Sequence, residues 1–272
     1  MDLPTLLLLI AVGCGAGFLA GFFGVGGGII LVPILLWFYD AMLGVPSMVA
    51  AHLTLGTSLF TIVITSLSSA TQHYRNGHVV LNAAVAIGTV SIIAAAAGAQ
   101  VAAALPGRVL LQLFAAVLAL TAVYLVVDPK PGGKKKEMNL SPGGISLTGI
   151  VSGVLSSLTG LGGGVVSIPM MHYLMGFPLK TAVGTSSATI VLTAAAATGG
   201  YIYSGWNHPD LEAYRWFTIG YVDYLHSLPI IAGTIPAAIL GAHLAHRTKS
   251  ALLRKLFACL LLAVALRVFF FS

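Results

Sequence analysis

Long apolar runs broken at short polar intervals dominate the chain. Five lie near residues 3–23, 26–39, 48–74, 79–104 and 107–127, and five more near 143–159, 162–176, 180–204, 221–246 and 249–271. The runs are continuous and rich in Ala and Leu, without strict alternation, which predicts helices and argues against strands. Several approach 20 residues, enough helix to cross about 30 Å of hydrocarbon. Residues 40–46 form a turn, and the Pro/Gly/Lys stretch 128–137 cannot enter lipid. The pattern gives a first repeat, 1–127, a linker, 128–141, and a second repeat, 142–272.

One motif recurs inside this pattern. Gly24-Val25-Gly26-Gly27-Gly28, followed by Pro33, returns 136 residues later as Gly160-Leu161-Gly162-Gly163-Gly164, followed by Pro169. A soluble phosphate loop would need a strand before the glycines and a Lys after them, and neither is present. Between apolar runs a glycine cluster breaks a helix, and the freed backbone groups are tolerated only where protein or a water-filled cavity meets them. Two such breaks at matched places point to a transporter binding site. Other matches extend the duplication. Gly17 aligns with Gly153, Pro46 with Pro178, Gly56-Thr57-Ser58 with Gly184-Thr185-Ser186, and Leu113-Phe114-Ala115 with Leu256-Phe257-Ala258. The offset changes from 128 to 143 across residues 206–220, which marks an insert whose Trp, Asp and Glu residues suit an interfacial loop or short helix. The expected fold is therefore an all-α integral membrane protein of two repeats, each of about five apolar helical segments broken at a glycine cluster.

Composition agrees. The 272 residues are 58% hydrophobic and only 7% charged, where a soluble domain carries roughly a quarter charged residues. The net charge of +6 does not indicate nucleic acid, because the basic residues sit between spans and form no basic face with interleaved aromatics. They read instead as topology. With the linker in the cytoplasm and five crossings per half, ten Lys/Arg fall inside and three (Arg108, Arg215, Arg267) outside. The odd number of crossings inverts one repeat relative to the other and places both termini outside. Residues 6–12 have the apolar character of a signal-peptide core, but only Asp2 precedes them, so an uncleaved span is expected. Cys14 and Cys259 give neither zinc spacing nor a disulfide framework.

No catalytic constellation is visible, and no metal site or cofactor is expected. Acids are scarce within the spans. Asp223, near the start of one, reads as a helix-start carboxylate at the interface. This scarcity disfavours a cation pathway and favours a neutral or anionic cargo. The segment after each glycine cluster begins with bare N–H groups and a positive dipole end, which suits an anion. The expected substrate-binding residues are Gly26, Gly27 and Gly28 with Thr57 and Ser58, and Gly162, Gly163 and Gly164 with Thr185, Ser186 and Ser187. The hydroxyls can equally serve as packing glue between helices. His52 and His172 are the candidate proton carriers. Gly17 and Gly153 read as packing glycines.

The duplicated G-x-G-G-G-x₄-P, with Gly-Thr-Ser-Leu at 56–59, Val-Gly-Thr-Ser-Ser at 183–187 and the turn at 73–79, resembles the TauE/SafE sulfite exporters, also called TSUP permeases. The resemblance covers essentially the whole chain. It implies a multi-pass carrier of the cell membrane, in bacteria the inner membrane, moving sulfite, sulfoacetate or a related sulfur anion. The expected partners are then a small anion and the lipid bilayer; whether the chain forms a homo-oligomer is left open. An anion channel of the same architecture is the alternative, and a membrane enzyme of sulfur metabolism a third reading.

Overall fold

The computed structural model describes residues 1–127 and 138–271; the lysine-rich part of the linker, 128–137, lies outside the described residues. The first half forms α1 (Leu3–Phe23), α2 (Gly28–Trp37), α3 (Ser47–Arg75), α4 (Leu81–Ala104) and α5 (Gly107–Val127). The second forms α6 (Pro142–Thr159), α7 (Gly164–Pro169), α8 (Leu179–Gly205), α9 (Tyr224–Arg247) and α10 (Ser250–Phe271). Helices α2 and α7 run on into five-residue π-helical turns, Phe38–Met42 and Met170–Leu174. These bounds lie within a few residues of those expected from hydropathy. Among the described residues, α1, α3, α4, α8 and α9 are each long and apolar enough to cross a membrane.

Helices α3 and α8 pack against each other and are the most buried of the long helices. Their inward hydroxyls are mostly spent within the helix: Thr61 and Thr65 on α3, and Thr189 and Thr193 on α8, each donate to the carbonyl four residues back. Around this pair the two halves interlace. Helix α1 packs on α9 and α6 on α4, α9 leans on α3 and α4 on α8, and α5 pairs with α10. Exchanging every helix for its counterpart in the other half leaves this set of pairs unchanged.

Glycine sets the closeness of the crossed pairs. Lipid tails offer no hydrophobic drive between helices, so close backbone approach must hold them. Gly13, Gly17 and Gly21, spaced four apart on α1, lie against the backbone of α9 at Ile230, Thr234 and Ala238. Gly233 and Gly241 return the contact from α9. Gly149 and Gly153 do the same for α6 against α4. Gly17 and Gly153 are thus packing positions, as their spacing suggested.

Two features differ from the sequence expectation. The insert contains a 3₁₀ turn, Pro209–Tyr214, and the first strand of a small antiparallel hairpin, β1 (Thr218–Ile219), whose second strand, β2 (Val222–Asp223), lies just past it; no alternation announced either. It folds back onto the helices, with Tyr221 N–H donating to Tyr201 O at 3.3 Å. His73, whose burial nothing in the sequence indicated, has its Nε2 2.9 Å from Gly21 O and so ties the end of α3 to the end of α1.

A methyl on Gly17 would fall 2.5 Å from Thr234 O, whereas one on Gly15 meets nothing within 4 Å. Gly17→Leu should therefore wedge α1 from α9 at a cost of about 1–3 kcal/mol, seen as a lower thermal midpoint in detergent. Gly15→Leu should leave that midpoint in place.

Candidate functional site

The two glycine clusters meet at the centre of the molecule. Gly24 ends α1 and Gly160 ends α6, each in the left-handed conformation, with N–H groups returned to Ala20 O and Ser156 O. Gly26 and Gly27, at φ 83° and 90°, then turn the chain into α2, and Gly162 and Gly163, at 74° and 85°, turn it into α7. Only glycine holds such angles without strain. The N–H groups of Gly26, Gly27 and Gly28, and those of Gly162, Gly163 and Gly164, donate to no oxygen among the described residues. All six glycines are buried. Unpaired buried N–H groups are rare, so a run of them in both copies calls for an acceptor.

The clusters touch backbone to backbone. A methyl on Gly28 would fall 2.5 Å from Gly160 O, and one on Gly164 would fall 2.7 Å from Val25 Cα and 2.8 Å from Gly24 O. Ile62 of α3 and Ile190 of α8 close over Gly26 and Gly162, each isoleucine standing against both.

The Gly-Thr-Ser motifs hold this centre together, one residue to each task. Gly56 admits the backbone of the hairpin at Tyr221, and Gly184 admits the α3–α4 turn at His78. Thr57 Oγ1 accepts from Asp223 N–H at 2.9 Å, and Thr185 Oγ1 accepts from Val80 N–H at 3.1 Å. Ser58 Oγ donates to Gly160 O at 2.9 Å and Ser186 Oγ donates to Gly24 O at 3.1 Å, so each repeat braces the other's glycine loop. Ser186 also meets Ser167 Oγ at 2.9 Å. Ser187, by contrast, turns to Val183 O and to Ser69 across the α3–α8 contact.

The structure brings the glycines, Ser58 and Ser186 together and sets the two histidines apart from them. His52 Nδ1 lies 3.1 Å from Met48 O, its Nε2 faces Leu105 O and Ala102 O, and its ring packs near Tyr221. His172 Nδ1 closes the turn after α7 at 2.6 Å from Phe177 O.

Sequence reasoning missed several residues that matter here. Ile62 and Ile190 were within reach, since they fall at the same 128-residue offset as the Gly-Thr-Ser motifs. The other group is a polar cluster beside Thr57. Asp223 is the helix-start carboxylate expected, accepting from His226 N–H at 2.9 Å, and it is 0% exposed. His226 Nδ1 lies 2.6 Å from its Oδ2. The Tyr39 hydroxyl, at the end of α2, is shared between Asp223 Oδ2 at 3.1 Å and Thr57 Oγ1 at 3.2 Å.

A multi-helix chain that crosses its halves around paired, broken helices belongs to the class of membrane transporters. The comparisons name the family. The family model "Sulfite exporter TauE/SafE" matches residues 9–268, and the chain belongs to that family. A "Probable membrane transporter protein" of Haemophilus influenzae is 32% identical over 267 residues, covering 97% of this chain and 98% of the relative. A probable membrane transporter protein of Methanocaldococcus jannaschii is 34% identical over 212 residues, 74% of this chain and 77% of its own. One of Bacillus subtilis is 28% identical over 242 residues, 87% of this chain and 89% of its own. No solved structure matches.

Ser58→Ala or Ser186→Ala would leave a buried glycine-loop carbonyl without its donor. Each should lower stability by about 1–3 kcal/mol, read from thermal midpoints in detergent. Ser68→Ala is the control, because that hydroxyl only back-bonds to Ile64 O on a half-buried face and its loss should change little.

Proposed function

We propose that this chain is a secondary carrier for a small sulfur-containing oxyanion, sulfite or an organosulfonate such as sulfoacetate. The observation that carries the reading is the meeting of two glycine clusters whose buried N–H groups have no acceptor. An oxyanion supplies several acceptors and a negative charge to the starts of α2 and α7. Ser58 and Ser186 hold the loop carbonyls, and Thr57 and Thr185 the neighbouring turns, away from the cargo, while Ser187 braces α8 against α3. Ile62 and Ile190 close it in the present conformation and must part for the anion to enter. The name of the matched family supports sulfite as one cargo to try first.

The repeats lie inverted in the membrane, with both termini outside and the linker 128–141 cytoplasmic. Invariance of the packing pairs under exchange of halves supports a two-fold relation between the repeats, and the positive charges support the orientation. Alternating access then moves the crossed pairs, α1 with α9 and α4 with α6, because their glycine contacts tie helices from different halves together. Rocking one sequence half against the other would tear both pairs apart.

Counterflow in proteoliposomes tests the carrier. Purified protein should exchange radiolabelled sulfite or sulfoacetate with saturation, and Gly27→Ala or Gly163→Ala should cut the rate at least tenfold in folded protein. Flux that rises without saturation and shows no counterflow would make it a channel. Labelling a cysteine placed at Lys135 tests the orientation. An impermeant reagent should fail to reach it in intact cells and should reach it in inverted vesicles.

A further inference from the structure

Among the described residues Asp223 is the one Asp, Glu, Lys or Arg side chain that is buried. A carboxylate taken out of water must be paired or must bind a proton. Its partners come from three separate elements: Tyr39 from the end of α2, Thr57 from α3 through the Asp223 amide, and His226 from the first turn of α9. His226 is 4% exposed, and its ring is held between Phe38 and Phe217 at centroid distances of 5.2 and 5.3 Å. The carboxylate accepts at Oδ2 from Nδ1, so Nδ1 carries a hydrogen and Nε2 is the free position of the neutral ring.

The cluster is linked to the glycine centre through α3. Thr57, which holds the Asp223 amide, is followed in the chain by Ser58, which holds Gly160 O. The matched place in the other repeat has the same geometry but no charge. There Thr185 holds the amide of Val80, which stands at the 143-residue offset where the second repeat has Asp223. One half thus carries a buried carboxylate where the other has Val80, and the titratable groups near Val80 are His73, packed beside Gly184 and bound to Gly21 O, and His78.

We propose that the Asp223–His226 pair is a proton-binding site linked to the anion site. The inference rests on the carrier reading above. With His226 neutral the pair carries one negative charge, which repels an oxyanion at the adjacent glycine loops. A proton from water that binds Nε2 makes the ring imidazolium, keeps the Nδ1–H···Oδ2 bond and brings the pair to net zero. Proton binding and anion binding then strengthen each other, and linkage makes the effect reciprocal. The other titratable groups nearby are Tyr39, in contact with Asp223, and Tyr221 of the hairpin, which His52 and His208 flank and whose proton is retained first by burial and then by Asp210. None of them carries the charge of a buried acid.

The test is calorimetry of anion binding to the purified full chain in two buffers of different ionisation enthalpy. The probes are sulfate, thiosulfate and sulfoacetate, which keep their charge near neutral pH. Wild type should take up about one proton per anion, with affinity falling towards tenfold per pH unit on the alkaline side of the pair's titration. Asp223→Asn and His226→Gln should still bind anion but lose the uptake and flatten the pH profile. Tyr39→Phe removes one donor from the carboxylate and should move the midpoint to higher pH. Wild type that binds anion without taking up a proton overturns the proposal, whether or not the variants fold. So does uptake retained in a folded Asp223→Asn or His226→Gln, or an unmoved profile in a folded Tyr39→Phe. Wild type that binds none of the probes, nor sulfite, overturns the carrier reading itself and this inference with it.

Discussion

The structure depends on two backbones touching where side chains would normally stand. Gly28 and Gly164 each lie against the other cluster's main chain, so the ends of α1 and α6 and the starts of α2 and α7 converge on one small volume. Lipid cannot satisfy the amide groups freed by two broken helices, and Ile62 and Ile190 stand directly against them. The surrounding parts answer to that constraint. The long helices α3 and α8 run past the breaks, bury their own hydroxyls by back-bonding, and present one serine each to the opposite loop.

Duplication supplies the frame, and the halves depart from one another at the capped residue as well as in the insert. The Gly-Thr-Ser motif admits a returning turn, caps its amide and braces the facing loop in both halves alike. What differs is the residue whose amide is capped, Val80 in one copy and Asp223 in the other. A carboxylate at this position reaches Tyr39 and His226 without any change in the backbone scheme. Placing the Asp223–His226 pair in only one repeat makes the two halves chemically unequal there, although the helices around them correspond.

Much of this was legible in the sequence because it is local. Apolar run length set the helices to within a few residues, and recurrence of the glycine cluster identified the two breaks. The Gly-Thr-Ser motifs were found as matched polar positions, but their division of labour was not readable, since it depends on which turn folds back against Gly56 and Gly184. Tyr39 and His226 escaped for the same reason, and Asp223 was read only as a helix-start carboxylate. Tyr39 is separated from Asp223 by 184 residues and sits at the end of a run that hydropathy marks only as apolar. The insert hid the rest, because the hairpin it begins is two residues to a strand and leaves no alternation to detect.

The crossed pairing also bears on how the chain is made. The glycine face of α1 has its partner on α9, more than two hundred residues later. At synthesis rates of about 5–20 residues per second, α1 leaves the ribosome roughly 10–40 s before α9 exists. During that interval Gly13, Gly17 and Gly21 face whatever lies beside them in the bilayer. The first repeat cannot reach its final packing alone, and a chain released before α9 would expose the small-residue surface that draws helices together. Assembly therefore closes from the last helices inward, and the C-terminal half completes the N-terminal one.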